Sequence, residues 1–188
     1  MFFVVKNLKR HLEVEPKMYG PNLKETIKEK LVEVVENTCS ERYGFILKVF
    51  NVDTERLEGR IESTGMQSGR GGTATFTVKY EAIVFKPFKG EVLMGQVKNV
   101  AQQGVFCQCG PMQVFIARAN LADDSNGLKW HGDRTPACWM SEGEKMKIEE
   151  KTMLRLRLMG VRLSNDVSKS SAVGLITDDY LGPIDVQY

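Results

Sequence analysis

The hydrophobic pattern of the first part of the chain predicts one amphipathic helix packed on a sheet. Leu23, Ile27, Leu31 and Val34 recur at spacings of four, four and three residues, and charged residues fill most positions between them. A single apolar stripe of this kind must cover another layer of structure. The segments on either side are strand-like: FFVV and HLEVE precede the helix, and GFILKVFNV and TATFTVKYEAIVFK follow it.

The last of these segments changes character along its length. In TFTVKY, apolar and polar residues alternate as in a half-buried strand. From Ala82 to Phe85 both faces are apolar, which predicts burial on both sides of the strand. Pro87 then prevents continuation of a central paired strand. We therefore expect two domains, one covering residues 1–86 and the other residues 87–188.

The second half contains short strand candidates separated by glycine and proline. They are EVLMGQVKNV, GVFCQCG, MQVFIARA, KMKIEEKTMLRLRLMGVRL and SAVGLI. Five such strands predict a small barrel of the OB-fold kind. Residues 123–145 form a polar stretch that we interpret as an insertion between strands. The two tryptophans in WHGDRTPACW are explained equally well by a contact surface and by a local loop core.

Strand alternation turns two phenylalanines away from the predicted barrel core. Phe106 alternates with the Val/Cys face of GVFCQCG, and Phe115 alternates with the Val/Ile face of MQVFIARA. Outward aromatic rings on neighbouring OB strands are suited to stacking single-stranded bases. The alternative is that both rings pack against the other domain or a partner protein.

The charge balance limits the kind of nucleic acid that the chain can bind. The chain has 26 Lys+Arg and 24 Asp+Glu, and residues 87–188 carry 12 of each sign. A dedicated duplex binder is strongly basic, so a neutral domain predicts modest, salt-sensitive contact with a flexible single strand. Lys98, Arg118 and Arg157 are the candidate phosphate contacts, with ordinary solvated side chains as the alternative.

No motif for catalysis is present. The chain has two histidines, His11 and His131, and lacks the common nucleophile, phosphate-binding and metalloprotease signatures. Cys107-x-Cys109, with His131 and Cys138 nearby in sequence, does not have the spacing of the common zinc sites. Buried cysteines acting as small hydrophobes explain this pattern better. We expect no enzyme, no metal and no cofactor.

The chain also lacks signals for membranes and secretion. Its apolar runs are shorter than the ~18–20 residues of a spanning helix, and MFFVV is too short for a signal-peptide core. Four unevenly spaced cysteines do not form a disulfide framework. These features predict an intracellular protein with no membrane partner.

Short motifs distributed along nearly the whole chain resemble one known family. They are Met1–Phe3, Tyr19–Leu23 (YGPNL), Cys39 with Gly44–Phe45, Val78–Val92 (VKYEAIVFKPFKGEV), Gly104–Phe106, Gly110–Met112, Gly160–Arg162 and Asp178–Gly182 (DDYLG). In this order they resemble the larger stalk subunit family of archaeal and eukaryotic RNA polymerases. The DDYLG ending favours the polymerase II branch of that family.

The resemblance implies an α+β chain with a specific architecture and role. It implies an N-terminal truncated RNP-like tip domain, followed by an OB-fold barrel of the ribosomal-protein-S-one type. It also implies a nuclear, non-catalytic subunit that pairs with a smaller stalk subunit and docks on the polymerase core. The barrel of such a subunit binds emerging single-stranded RNA, and the stalk supports initiation.

The resemblance also suggests contact residues. We expect Tyr19, Gly20 and Pro21, with Arg70 in the GMQSGRGG loop, to dock on the polymerase, because both segments flank the same small sheet. Apolar residues near the domain boundary are expected to form the interdomain and stalk-partner surface. They are Ile83, Val84, Phe85 and Phe88.

Two other functions fit parts of the sequence. A free-standing single-strand RNA-binding protein of translation or RNA decay would use the same barrel, but it would not need the doubly apolar strand at Ala82–Phe85. An enzyme with an appended OB domain would need a catalytic site, and the first half has no recognisable one.

Overall fold

The structure is a computed structural model that describes residues 1–61, 72–122, 127–132, 136–141 and 146–184. The chain divides into two compact units, one formed by residues 2–86 and the other by Met1 with the chain from Pro87 onward. In the described residues, no helix is both long enough and apolar enough to cross a membrane.

The N-terminal unit is one antiparallel sheet with a helix on one face. The strands lie in the order β1-β4-β3-β2, and a short 3₁₀ turn at Pro16–Met18 leads from β1 toward the helix. The elements are β1 (Phe2–Val14), α1 (Leu23–Val35), β2 (Cys39–Ser40), β3 (Gly44–Ile61) and β4 (Ala74–Phe85). The segments predicted as strands and helix are confirmed.

Helix α1 buries a slightly different stripe from the predicted one. Ile27, Leu31 and Val35 are buried, and Leu23 is partly buried against the same core. Val34, which we expected in the stripe, is 36% exposed. At 3.6 residues per turn, a step of four from Leu31 stays on the core line, and this step leads to Val35.

The last four residues of β4 are buried except for Ile83. Ala82, Val84 and Phe85 are buried as predicted, but Ile83 is 37% exposed. Its side chain lies on the sheet face opposite α1, between its cross-strand partners Val4 and Lys48. The expectation of burial on both faces is therefore wrong at Ile83.

The C-terminal unit is a closed barrel with a small second sheet. Its elements are β5 (Val92–Ala101), β6 (Gly104–Cys109), β7 (Met112–Ala117), α2 (Arg118–Leu121), β8 (Leu128–His131), β9 (Cys138–Ser141), β10 (Lys147–Ile148), β11 (Met153–Arg162), β12 (Ser171–Leu175) and β13 (Gly182–Ile184). Around the barrel the order is β5-β6-β7-β12-β11, and β11 pairs again with β5. Strand β12 runs parallel to β7, and the other pairs are antiparallel.

This five-stranded closure is the OB fold that the spacing of strands predicted. Inward-facing residues of all five strands fill the barrel, and alternation places their neighbours outside. The buried set includes Val97, Val105, Cys107, Val114, Ile116, Leu154, Leu156, Leu158 and Ala172. One strand differs from the prediction: KMKIEEKTMLRLRLMGVRL forms two strands, β10 and β11, because a turn at residues 149–152 separates them.

The described part of the predicted polar insertion forms two strands, β8 and β9. Strands β8, β9 and β10 form an antiparallel sheet in the order β10-β9-β8. Trp139 is 1% exposed, its Nε1–H donates to the Ala101 carbonyl at 3.0 Å, and its ring lies 5.6 Å from that of Trp130. The tryptophans therefore form a local core that ties the small sheet to the end of β5.

Candidate single-strand nucleic-acid interface

The hairpin of β6 and β7 presents two aromatic rings on the outside of the barrel. Phe106 and Phe115 are direct cross-strand partners, and their ring centroids lie 4.7 Å apart with a tilt of 39°. Both side chains are half-buried, whereas their neighbours Val105 and Val114 are fully buried. The alternation predicted from the sequence is confirmed, and the direct contact between the rings is an addition to it.

Gly104 allows this arrangement. Its φ of +152° lies in a region that side chains rarely adopt. A Cβ at this position would lie 2.2 Å from the Ile116 carbonyl oxygen and 3.0 Å from the ring of Phe115. The absence of a side chain therefore lets the two strands approach and lets the Phe115 ring lie against the backbone.

The aromatic pair belongs to a row that crosses four strands. Asn99 of β5 is the partner of Phe106, and Val173 of β12 is the partner of Phe115. Both flanking residues are exposed. The row therefore places the two rings between an exposed amide, Asn99, and an exposed apolar side chain, Val173.

A second, polar row runs beside the first. Gln96, Gln108 and Gln113 are successive cross-strand partners on β5, β6 and β7, and Ser171 of β12 continues the row. Sequence reasoning did not find these glutamines as a group, since they become neighbours only once the strand register is known.

The three predicted basic residues lie on different elements of the barrel unit and differ in their hydrogen-bond and ion-pair partners. Lys98 lies at the bulge of β5 next to Asn99, and its Nζ donates to Gln96 Oε1 at 2.9 Å. Arg118 begins α2 directly after β7 and is exposed. Arg157 of β11 forms an ion pair with Asp178, and both side chains are about two-fifths exposed, at 43% and 41%. An exposed ion pair contributes little stability, so Arg157 can leave Asp178 to contact a ligand at small cost.

The cysteines of the barrel are unsuited to metal binding or nucleophilic chemistry. Burial, with a smaller contribution from neighbouring Cys109, raises the pKa of the Cys107 thiol to about 12. Burial likewise raises the pKa of Cys109 to about 11. The thiolate is the ligand and the nucleophile, so both groups remain neutral thiols in the core. Among the described residues, no three His, Cys, Asp or Glu side chains are grouped to hold a metal.

Three of the residues predicted to dock on a larger assembly, Tyr19, Gly20 and Pro21, lie at one end of the N-terminal unit. Tyr19 is 40% exposed, its hydroxyl donates to the Gly72 carbonyl at 2.7 Å, and the Val14 carbonyl lies 3.2 Å from the same oxygen. Gly20 and Pro21 are exposed. Arg70 lies outside the described residues. Tyr19 therefore joins the segment before α1 to the residues that enter β4.

The residues predicted for a partner surface divide into buried and exposed groups. Val84 and Phe85 are buried within the N-terminal unit, where the Phe85 ring lies 5.2 Å from that of Phe2 and 6.3 Å from that of Phe45. Ile83 is partly exposed, and Phe88 of the C-terminal unit is 49% exposed.

The exposed apolar surface of the N-terminal unit continues along its edge strand. Phe2 is 67% exposed and Val4 54% exposed, and the register places them on the same sheet face as Ile83. Strand β1 is at the edge of the sheet. We call Phe2, Val4 and Ile83 the apolar edge patch.

Comparison with known proteins assigns both units to described domains. Residues 9–65 match the "SHS2 domain found in N terminus of Rpb7p/Rpc25p/MJ0397". Residues 86–157 match the "S1 RNA binding domain". The second match includes Phe106 and Phe115 and ends at Arg157.

Whole proteins from several kingdoms are similar along nearly the full chain. "DNA-directed RNA polymerase II subunit RPB7" of Saccharomyces cerevisiae is 38% identical over 187 residues, which cover 98% of this chain and 100% of the relative. "DNA-directed RNA polymerase II subunit 7" of Arabidopsis thaliana is 36% identical over 184 residues, 98% of this chain and 97% of the relative. The Dictyostelium discoideum subunit rpb7 is 36% identical over 98% of this chain and 99% of its own. With an SHS2 domain followed by an S1 domain, and with this similarity over nearly the full length, the chain belongs to the RNA polymerase II subunit 7 family.

Proposed function

We propose that this protein is a non-catalytic stalk subunit of nuclear DNA-directed RNA polymerase II. It pairs with the smaller stalk subunit, docks on the polymerase core, binds nascent single-stranded RNA and supports initiation. The similarity to polymerase II subunits over nearly the whole chain supports the assembly role. It also favours this role over that of a free-standing RNA-binding protein.

The observation that carries the RNA-binding role is the partly exposed pair of Phe106 and Phe115 on the outside of an S1-type barrel. Rings of this kind stack on bases of any identity, and each stacked base contributes about 1–3 kcal/mol. Lys98, Arg118 and Arg157 supply the nearby positive charge. Because the barrel unit is neutral overall, the phosphate contribution is small and falls as salt rises.

The proposed function is tested by purifying the tagged chain from its own cells after ultraviolet cross-linking. Polymerase II subunits and cross-linked nascent transcripts in the same eluate support both parts of the proposal. Ribosomal or RNA-decay proteins in place of polymerase subunits would assign the chain to the free-standing class. A polymerase complex without RNA would limit the function to assembly.

The docking role of Tyr19 gives a first prediction in this purification. Tyr19→Ala removes an aromatic side chain of the kind that dominates protein interfaces, where truncation costs roughly 2 kcal/mol or more. The recovery of polymerase core subunits is expected to fall about 30-fold at limiting concentration. Recovery of the smaller stalk subunit is expected to stay unchanged.

Tyr19→Phe is the matched control, since it keeps the ring and removes only the hydroxyl, which contacts the Gly72 and Val14 carbonyls. This variant is expected to retain most polymerase binding. Equal polymerase recovery with Tyr19→Ala and wild type would refute the docking assignment.

The apolar edge patch gives a second prediction, about the smaller stalk subunit. An exposed apolar surface on an edge strand promotes association of free chains. The isolated chain is expected to self-associate in solution, and the co-expressed pair is expected to be monodisperse by light scattering. Replacing Val4 and Ile83 with lysine is expected to make the isolated chain monomeric and to weaken its binding to the smaller subunit.

Ile61→Lys is a suitable control, because Ile61 is 68% exposed at the other end of the sheet. This variant is expected to behave like wild type in both measurements. A monodisperse wild-type monomer that binds no smaller subunit would contradict the assignment of this surface.

A further inference from the structure

We propose that Gln108 and Gln113 read the edges of bases stacked on Phe106 and Phe115, and that they give the barrel a preference for adenine. This inference rests on the proposed RNA-binding function. Stacking on the aromatic pair alone does not distinguish one base from another. The glutamines would add this selectivity.

The strand register places these amides beside the rings. Gln108 and Gln113 are direct cross-strand partners, two positions along each strand from the pair of Phe106 and Phe115. Alternate residues of a strand share one face and are separated by roughly 7 Å. That separation is comparable with the length of a purine, so a base stacked over a ring extends to the amide row.

The two amides retain hydrogen-bonding capacity. Gln108 donates one Nε2–H to the Gly110 carbonyl at 2.7 Å, which orients the amide and leaves its Oε1 and its second Nε2–H for a ligand. Gln113 is exposed, and its side chain makes no hydrogen bond within the part of the chain that the structure describes. Gln96 is less available, because its Oε1 accepts from Lys98.

The third row of the same surface carries no hydrogen-bonding side chain. On the other side of the aromatic pair lie Ala101, Gly104 and Ala117, which are cross-strand partners with little or no side chain. The pair of Phe106 and Phe115 has glutamine amides on one side and small residues on the other. A base on the rings therefore meets the glutamine amides on one side and no side-chain hydrogen-bonding group on the opposite side.

The donor and acceptor pattern of an amide selects among bases. An amide offers one acceptor and one donor side by side, which matches adenine N6–H with either N1 or N7. Adenine therefore presents a matching pair on both of its exposed edges. Guanine presents only acceptors on its N7 edge, so it matches an amide on its Watson–Crick edge but not on both of these edges. The pyrimidines have a matching pair only on their Watson–Crick edge.

The inference is tested by titrating the full-length chain, co-purified with its stalk partner, with fluorescent RNA oligomers of equal length. The three oligomers contain adenosine, uridine or purine riboside, which has the purine ring without the 6-amino group. Wild type is expected to bind the adenosine oligomer about five-fold or more tightly than the purine riboside oligomer, the lower end of a bidentate amide contact. Replacing both Gln108 and Gln113 with leucine is expected to bring this ratio close to one.

Two further variants separate this inference from the proposed function. Gln102→Leu removes an exposed amide from the β5–β6 turn and is expected to keep the wild-type ratio. Phe106→Ala with Phe115→Ala is expected to lose affinity for all three oligomers. If these phenylalanine variants lose binding while the wild-type ratio is one, or while Q108L/Q113L keeps the wild-type ratio, the amide inference is overturned and the stacking site stands. If the phenylalanine variants bind like wild type, the proposed stacking site is itself wrong, and the amide inference falls with it.

Discussion

Replacing both Phe106 and Phe115 with alanine is expected to weaken binding of single-stranded RNA by roughly 2–6 kcal/mol, if each ring stacks one base. The rings stand on the outer wall of the barrel, and the residues beneath them fill its core. The loss is therefore expected in affinity and not in folding. Fluorescence anisotropy with a labelled oligomer measures the affinity, and thermal unfolding of the same samples checks the fold.

The two single variants are expected to be non-additive. The ring centroids lie 4.7 Å apart, so removing one ring also removes a packing contact of the other. Met94→Ala with Met159→Ala is the control, since both side chains are exposed on other strands of the same barrel, at 60% and 43%. Unchanged RNA affinity in a folded Phe106/Phe115 variant would place the RNA path on another surface.

Truncation of Trp139 is expected to have the largest effect on the stability of the C-terminal unit. Replacing a fully buried tryptophan by alanine typically lowers the free energy of unfolding by about 3–5 kcal/mol. Trp139 joins the sheet of β8, β9 and β10 to the last residue of β5 through its hydrogen bond to the Ala101 carbonyl. Urea unfolding followed by far-ultraviolet circular dichroism measures the change.

Two neighbouring substitutions test the reason for that loss. Trp139→Phe keeps an aromatic ring but leaves the Ala101 carbonyl without its donor, and it is expected to cost about 1–3 kcal/mol. Trp130→Ala is expected to cost less than Trp139→Ala, because Trp130 is only half-buried. A wild-type unfolding midpoint for Trp139→Ala would show that the small sheet does not support the barrel.

The strands and their facing were predictable because the barrel obeys a simple alternation. In β6, Val105, Cys107 and Cys109 face inward as the sequence indicated. The leucines of MLRLRLMG also face inward, and Arg155 between them is exposed. Burial of one strand face imposes this period on the sequence, so the sequence in turn reveals the face.

Features that depend on register or on distant contacts could not be predicted. The glutamine row exists only because three separate strands align. The ion pair between Arg157 and Asp178 joins residues that are distant in sequence, and no local pattern predicts it. The polar character of residues 123–145 predicts an insertion between strands, and the sequence alone does not decide whether its tryptophans form a contact surface or a local core. The structure shows a local core, in which the two tryptophans are in contact and Leu128, Cys138 and Met140 are buried with Trp139.

The parallel pairing of β12 with β7 has a consequence for how the barrel folds during synthesis. Val114 of β7 lies beside Ala172 of β12, and β12 is the last of the five barrel strands to be synthesised. Until it arrives, one edge of the β6–β7 hairpin has no partner strand. Pairs so distant in sequence form slowly. The hairpin that carries Phe106 and Phe115 is therefore synthesised well before the strand that completes its sheet, and it becomes a rigid platform only after β12 has paired with it.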